Sequence, residues 1–200
     1  MMKGLAPTSH DPAAYFKALG ELFGRIEVAT AAAVRLDAAG GVLAAAAIVK
    51  DATAHGRKVV FIGNGGSAAI ASGMAIDYWK NGGMRAIAFN DASLLTCIAN
   101  DFGYEQVFAK SIEMFADRGD VLIAISSSGQ SENILRGVDA AEKAGCRVVT
   151  LSGFEPTNPL RTRGDVRFWV PSGAYAHVEL VHQAICDAIR DRLIAERSPA

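Results

Sequence analysis

The chain is short of cysteine, has no block of like charge and carries neither common nucleotide signature, and each absence narrows its function. Its three cysteines, Cys97, Cys146 and Cys186, are odd in number, widely spaced and without a Cys-x-x-Cys pair. That usage fits a reducing compartment rather than a disulfide scaffold, and the expected location is cytoplasmic. Lys and Arg total 20 against 21 Asp and Glu, so no global basic field draws in a polyanion, and direct nucleic-acid binding is not expected. The first residues lack a basic region followed by an apolar stretch, and the alanine-rich segment 42–49 is too short to cross a bilayer, so neither a leader nor a membrane partner is expected. Neither the dinucleotide fingerprint, with glycines at first, third and sixth positions, nor a phosphate loop ending in Gly-Lys-Ser/Thr occurs. What the chain does have is apolar bulk. Half of its 200 residues are apolar, enough to bury a substantial core in one domain.

Asp11-Pro12 is a helix-start signature, and Tyr15, Phe16, Leu19, Leu22, Phe23 and Ile26 recur at helical spacing after it, which predicts a long first helix after a loose start at 1–7. A second, alanine-rich helix is expected over 36–54, its small side chains suited to close packing, including packing against another subunit. From there strands are expected at 59–62, 86–89, 121–125, 147–151 and 166–170, and helices at 68–79, 94–99, 104–115, 132–144 and 178–194, with frayed residues from 196 onward. Such alternation predicts an α/β three-layer sandwich with a mostly parallel central sheet, preceded by two N-terminal helices. Residues 1–56 are read as a helical oligomerisation segment and 57–195 as the α/β core of a single domain.

Two matching loops carry the chemistry. Gly63-Asn64-Gly65-Gly66-Ser67 follows the first core strand, and Ser126-Ser127-Ser128-Gly129-Gln130-Ser131 follows the third. Small residues let backbone N–H groups approach an anion, hydroxyls add donors, and the helix that follows contributes partial positive charge. In open parallel sheets ligands lie beyond the carboxyl ends of the strands, where both loops fall. The serine loop can satisfy a phosphate without a lysine.

From about Val59 to Asp191 the chain resembles the sugar isomerase, or SIS, domain family, within it the phosphoheptose isomerase branch. The resemblance rests on the two loops, on Ser93-Leu94-Leu95-Thr96-Cys97-Ile98-Ala99-Asn100-Asp101-Phe102-Gly103-Tyr104, on Gly119-Asp120-Val121-Leu122-Ile123, and on a terminal helix holding Glu179 and His182. It implies a flavodoxin-like SIS fold and a homotetramer with active sites between subunits. It also implies that Ser126, Ser127, Ser128 and Ser131 hold the sugar phosphate while Asn64, Gly65, Gly66, Ser67 and Asp101 line the sugar. The activity implied is aldose-ketose isomerisation, of sedoheptulose 7-phosphate to a heptose 7-phosphate for cell-surface lipopolysaccharide or capsule.

The chain departs from that pattern where metal and catalytic groups are expected. Isomerases of this branch carry a histidine and a glutamate six and ten positions beyond the first loop's serine; Gly73 and Asp77 stand there. On the terminal helix, aligning on His182 puts Glu179 where the branch has a glutamine and Asp187 where it has a second histidine. None of the zinc-binding or proton-moving residues keeps its type, so the cofactor stays open. The candidate catalytic residues are Asp77 as base, with Glu179 and His182, which share a helix face with Cys186. A metal, if one binds, has Asp77, Glu179, His182 and Asp187 as candidate ligands, an oxygen-rich set suited to a harder divalent ion. Two other readings stand beside the isomerase: a catalytically silent sugar-phosphate sensor or adaptor, as in family members that assemble the DNA replication initiator, and an isomerase of a different sugar phosphate.

Overall fold

The apolar runs that follow residue 58 form the centre of a seven-stranded sheet in the computed structural model, which describes residues 11–197. The expected loose start at 1–7 lies outside the described residues, as do residues 198–200. The strands are β1 (Glu27–Thr30), β2 (Arg35–Leu36), β3 (Val59–Gly63), β4 (Ala86–Ala88), β5 (Val121–Ser126), β6 (Arg147–Ser152) and β7 (Val166–Trp169), in the order β2-β1-β7-β6-β5-β3-β4. From β7 to β4 all neighbours are parallel, whereas β1 runs antiparallel to both β7 and β2.

Among the described residues seven α-helices accompany them: α1 (Pro12–Phe23), α2 (Ala38–Ala54), α3 (Gly66–Lys80), α4 (Ala92–Phe102), α5 (Val107–Phe115), α6 (Glu132–Ala144) and α7 (Tyr175–Arg197). Strands β3 and β5 are buried along their whole length, which is why they read as unbroken apolar runs. One core, with Phe61, Ile123, Leu151 and Phe168, receives α1, α2, α3 and α7; the other, with Ile62, Leu122, Phe108 and Ile134, receives α4, α5 and α6. Each large side chain so buried contributes about 1.5–3 kcal/mol. Among the described residues no helix is long and apolar enough to cross a membrane.

The N-terminal part is not purely helical. The first helix stops at Phe23, capped through Gly24, and Ile26 leads into β1, which pairs with β7 from Glu27↔Trp169 to Thr30↔Val166. Leu36, expected in the second helix, lies in β2. Residues 27–36 thus extend the core sheet. Gly41 lets α2 lie against it, since a Cβ there would meet Val28 and Phe168 at 2.7–2.8 Å. The expected helix over 104–115 divides into a 3-10 turn, Tyr104–Gln106, and α5. The C-terminal helix is longer than expected at both ends, and Glu196 sits within it, paired with Lys50 and Arg192.

Topology puts the two glycine and serine loops side by side. The chain leaves β3 for β4 on one side, then crosses back to β5 on the other, so the switch point of the sheet lies between β3 and β5. Gly63 pairs with Ile125 there, and the loops leave the sheet next to each other.

Candidate functional site

Helices α1, α2 and α4 begin in the ordinary way: Asp11, Asp37 and Asp91 each accept a hydrogen bond from a first-turn N–H. Helices α3 and α6, which follow the two loops, have no such side-chain cap. Ala68 N and Ile134 N turn back onto the Gly65 and Ser131 carbonyls, and the N–H groups of the two residues before each are left to an anion, with the helix dipoles behind them. Gly65 caps α3 at φ 55°, ψ −121°, backbone that only glycine adopts readily.

In the serine loop, Ser126 Oγ donates to Ser131 Oγ at 3.3 Å and accepts from the Gly129 N–H at 3.2 Å. Ser128 Oγ accepts from the Gln130 N–H at 3.3 Å. Ser127 Oγ is buried and has no partner, a donor whose desolvation is uncompensated until something accepts from it. Gly129 has φ +63°, and a side chain there would run into Asn158. Asn158 supports the loop, donating to the Gly153 and Glu155 carbonyls and accepting from the Arg161 N–H.

An amide pair ties the loops together. Asn64 Nδ2 donates to Asn133 Oδ1 at 2.8 Å, Asn133 Nδ2 donates to Asn64 Oδ1 at 2.9 Å, and Tyr104 OH donates to the same Asn64 oxygen at 2.9 Å. Sequence reasoning singled out Asn64 but neither Asn133 nor Tyr104; their link to it becomes visible only once β3 and β5 are neighbours. Ser67 is buried in the first turn of α3. Asp101 is exposed on α4, accepting from Asn100 Nδ2 at 2.8 Å. Replacing Asn133 by Ala leaves half of the Asn64 amide unpaired, which costs about 1–3 kcal/mol of stability. It should also weaken phosphosugar binding on the order of tenfold through the loosened loop spacing, as calorimetric titration would measure.

The acidic residues separate into two places. Glu179, in the first turns of α7, lies against the start of α3, where its carboxylate fills the space that a Gly66 side chain would need. Gly153 lies between Val178 and the Ser127 carbonyl, where a Cβ would meet both, so the absence of a side chain there lets the beginning of α7 come near the serine loop. Glu179 is part-buried, and burial raises its pKa above the ordinary 4.5. Further along the same helices, Asp77 of α3 and Asp187 of α7 meet on Arg190, which sequence reasoning also missed: Nη1 is 3.0 Å from Asp77 Oδ2 and 2.7 Å from Asp187 Oδ1. Asp77 is therefore ion-paired, not a free carboxylate. Next to it Gly73 is open, with nothing within 4 Å of where a Cβ would stand.

His182 is on the helix face with Glu179 and Cys186 as the spacing requires, but that stretch of the face is core. The ring is fully buried, Nε2 lies 3.1 Å from the Ser152 carbonyl, and Nδ1 has no partner. Burial pushes its pKa from 6.5 down to about 4, against the opposing pull of the Ser152 bond. Below pH 6.5 the unfolded chain binds a proton that the folded one refuses. Stability is thus complete above 6.5 and lost as pH falls toward 4, by about 3 kcal/mol. Urea midpoints at pH 7 and 4.5 should show this slope flattened in His182→Gln. The four candidate metal ligands do not converge, and among the described residues no three His, Cys, Asp or Glu side chains form a metal-binding group.

Two loops of small and hydroxyl residues, side by side at the switch point of a mostly parallel sheet, define an open α/β protein with its ligand crevice there, and comparison with known proteins gives its family. The SIS domain family matches residues 23–153. The chain is 42% identical over 149 residues to the phosphoheptose isomerase of Sodalis glossinidius, covering 69% of this chain and 76% of that protein. It is 34% identical over 172 residues to the phosphoheptose isomerase of Geobacter sulfurreducens, covering 80% and 90%. Its structure matches phosphoheptose isomerase GmhA from Neisseria gonorrhoeae with a TM-score of 0.79 at 28% identity, over 92% of this chain and 96% of that one. The chain belongs to the SIS domain family, in its phosphoheptose isomerase branch.

Proposed function

We propose that the protein isomerises a phosphorylated ketose of the sedoheptulose 7-phosphate class to the corresponding aldose, with Glu179 as the proton-carrying base. The observation that carries this reading is the contact of a carboxylate of raised pKa with the uncapped start of α3, whose loop leaves the sheet beside the serine loop. Ser126, Ser127, Ser128 and Ser131 hold the phosphate, and Asn64, Gly65, Gly66, Ser67 and Asp101 line the sugar. Glu179 takes a proton from C1, the C–H electron pair becomes the C1–C2 double bond, and the C2 carbonyl pair moves onto O2, which receives the proton that the neighbouring O1 hydroxyl gives up. First-turn N–H groups of α3, beside Glu179, stabilise charge on O2. The C1–O1 double bond then forms, and Glu179 returns its proton to C2. No electrons enter or leave.

Incubation with C5 to C7 ketose phosphates and chromatography for the aldose tests this reading. Capture of Asp77 by Arg190 favours a second one, a silent phosphosugar sensor or adaptor. Ligand-induced thermal stabilisation without any aldose product would select that second reading. We further infer a cytoplasmic homotetramer of single-domain subunits with active sites between them. Its support is the exposure of Phe16, Leu43, Ile76, Trp79 and Leu180 on α1, α2, α3 and α7, together with three cysteines that are all free thiols. Light scattering that gives a monomer mass would remove the tetramer.

A further inference from the structure

We propose that the Arg190 guanidinium is the resident cation of this site, closing Asp77 and Asp187 against a divalent ion, so that the protein folds and acts without metal. The inference deepens the isomerase reading and rests on it only for the word "acts"; its test does not require turnover.

The two aspartates stand where the family resemblance puts metal ligands, and neither has an oxygen to spare. Asp77 Oδ2 is 3.0 Å from Arg190 Nη1, and Asp77 Oδ1 accepts from Asn81 Nδ2 at 3.1 Å. Asp187 Oδ1 is 2.7 Å from the same Nη1, and Asp187 Oδ2 accepts from Gln183 Nε2 at 3.1 Å. The other edge of the guanidinium is fixed too: Nε and Nη2 lie 2.9 and 2.8 Å from Asp191 Oδ1. All four oxygens of Asp77 and Asp187 are thus taken by protein donors. The two nitrogen positions that a zinc site needs are missing as well. Residue 73 is a glycine facing open space and residue 187 is itself an aspartate, while the one imidazole among the candidate ligands, His182, is turned into the core toward the Ser152 carbonyl.

A metal would have to displace a guanidinium whose side chain is only 15% exposed, stripping it of three carboxylate partners. A planar guanidinium matches carboxylate geometry and never gives up its charge. Because Asp77 is on α3 and Arg190 on α7, the cluster also clasps the two helices whose first turns bring Gly66 and Glu179 together. Arg190 is in this sense a positioning residue.

Metal content and thermal melting decide the matter. Wild-type protein purified without chelator should carry far less than one equivalent of any divalent metal, and its Tm should ignore both EDTA and millimolar Mn²⁺. Arg190→Met leaves Asp77, Asp187 and Asp191 without their shared cation. Its Tm should then rise on the order of 5 °C with Mn²⁺ and fall back with EDTA. Arg190→Lys keeps a cation and should stay indifferent to Mn²⁺. A wild type holding an equivalent of zinc, a wild type destabilised by EDTA, or a folded Arg190→Met protein that ignores Mn²⁺ overturns the proposal. If Arg190→Met does not fold, wild-type metal content and the Arg190→Lys response decide it. Absence of isomerase activity would leave each of these readings intact and sink only the proposed reaction.

Discussion

Replacing Glu179 by Gln should lower kcat by about 10²–10⁴-fold, the range over which a positioned proton-transfer group acts, while KM stays within a few-fold of wild type. Gln keeps the volume beside Gly66 and the fold of α7 but cannot accept a proton. The same argument gives a pH dependence. Burial raises the Glu179 pKa above 4.5, and only the ionised form is a base. Activity is therefore full above the raised pKa and lost as pH falls through it, so the acid limb of kcat/KM is displaced upward from that of an ordinary glutamate. Glu179→Asp draws the carboxylate back by one methylene, a misplacement on the scale that costs on the order of a hundredfold. Asp77→Asn is the decisive comparison. Asp77 is already neutralised by Arg190, so its replacement should lower Tm and spare most of kcat. If turnover vanishes in Asp77→Asn and survives in Glu179→Gln, Asp77 is the base and the assignment falls.

The parts of the fold that could be read from the sequence are those where local pattern and tertiary environment agree. Strands β3 and β5 are wholly buried, so each is an apolar run closed by a loop of small residues, and α6 lies over Glu132–Ala144 as expected because Gly145 ends it in the left-handed conformation at φ 80°. The hairpin of β1 and β2 was not legible. It has four and two residues, Glu27 and Arg35 are exposed, and Ile26 continues the helical period of the preceding segment. Only pairing with β7, some 140 residues later, makes it a strand.

The site divides the same way. Both loops announce themselves by composition, whereas what surrounds them depends on contacts distant in sequence. Asp77 looks like a free carboxylate until Arg190, 113 residues on, is seen to hold it. His182 has the spacing of an active-site group, yet one turn of α7 separates a carboxylate at the first loop from an imidazole in the core. Periodicity reports that residues share a face and cannot say where along that face the solvent ends.

Replacing Gly129 by Ala should all but abolish phosphosugar binding. Two separate costs arise at this position. Alanine at φ +63° is strained by about 1 kcal/mol, and its methyl would occupy the place of the Asn158 carboxamide. Asn158 cannot simply step aside, because it donates to the Gly153 and Glu155 carbonyls and caps the 3-10 turn Pro159–Thr162 through Arg161 N. Relief has to come from the serine loop, with Ser126, Ser127 and Ser128 shifting by a few tenths of an ångström or more. Overpacking of this kind costs about 1–3 kcal/mol, so the total destabilisation is about 2–4 kcal/mol, and the chain should still fold at room temperature. The ligand depends on the hydroxyls and first-turn N–H groups meeting at one point, and should lose affinity on the order of a hundredfold or more. Ser127→Ala separates loop shape from hydroxyl chemistry. It removes an oxygen that has no partner in the free protein, so stability should hold or rise slightly while affinity falls on the order of tenfold. Calorimetric titration of a ketose phosphate into both variants, beside their urea midpoints, measures the two effects. Full affinity in Gly129→Ala would mean that the phosphate is held somewhere other than the serine loop.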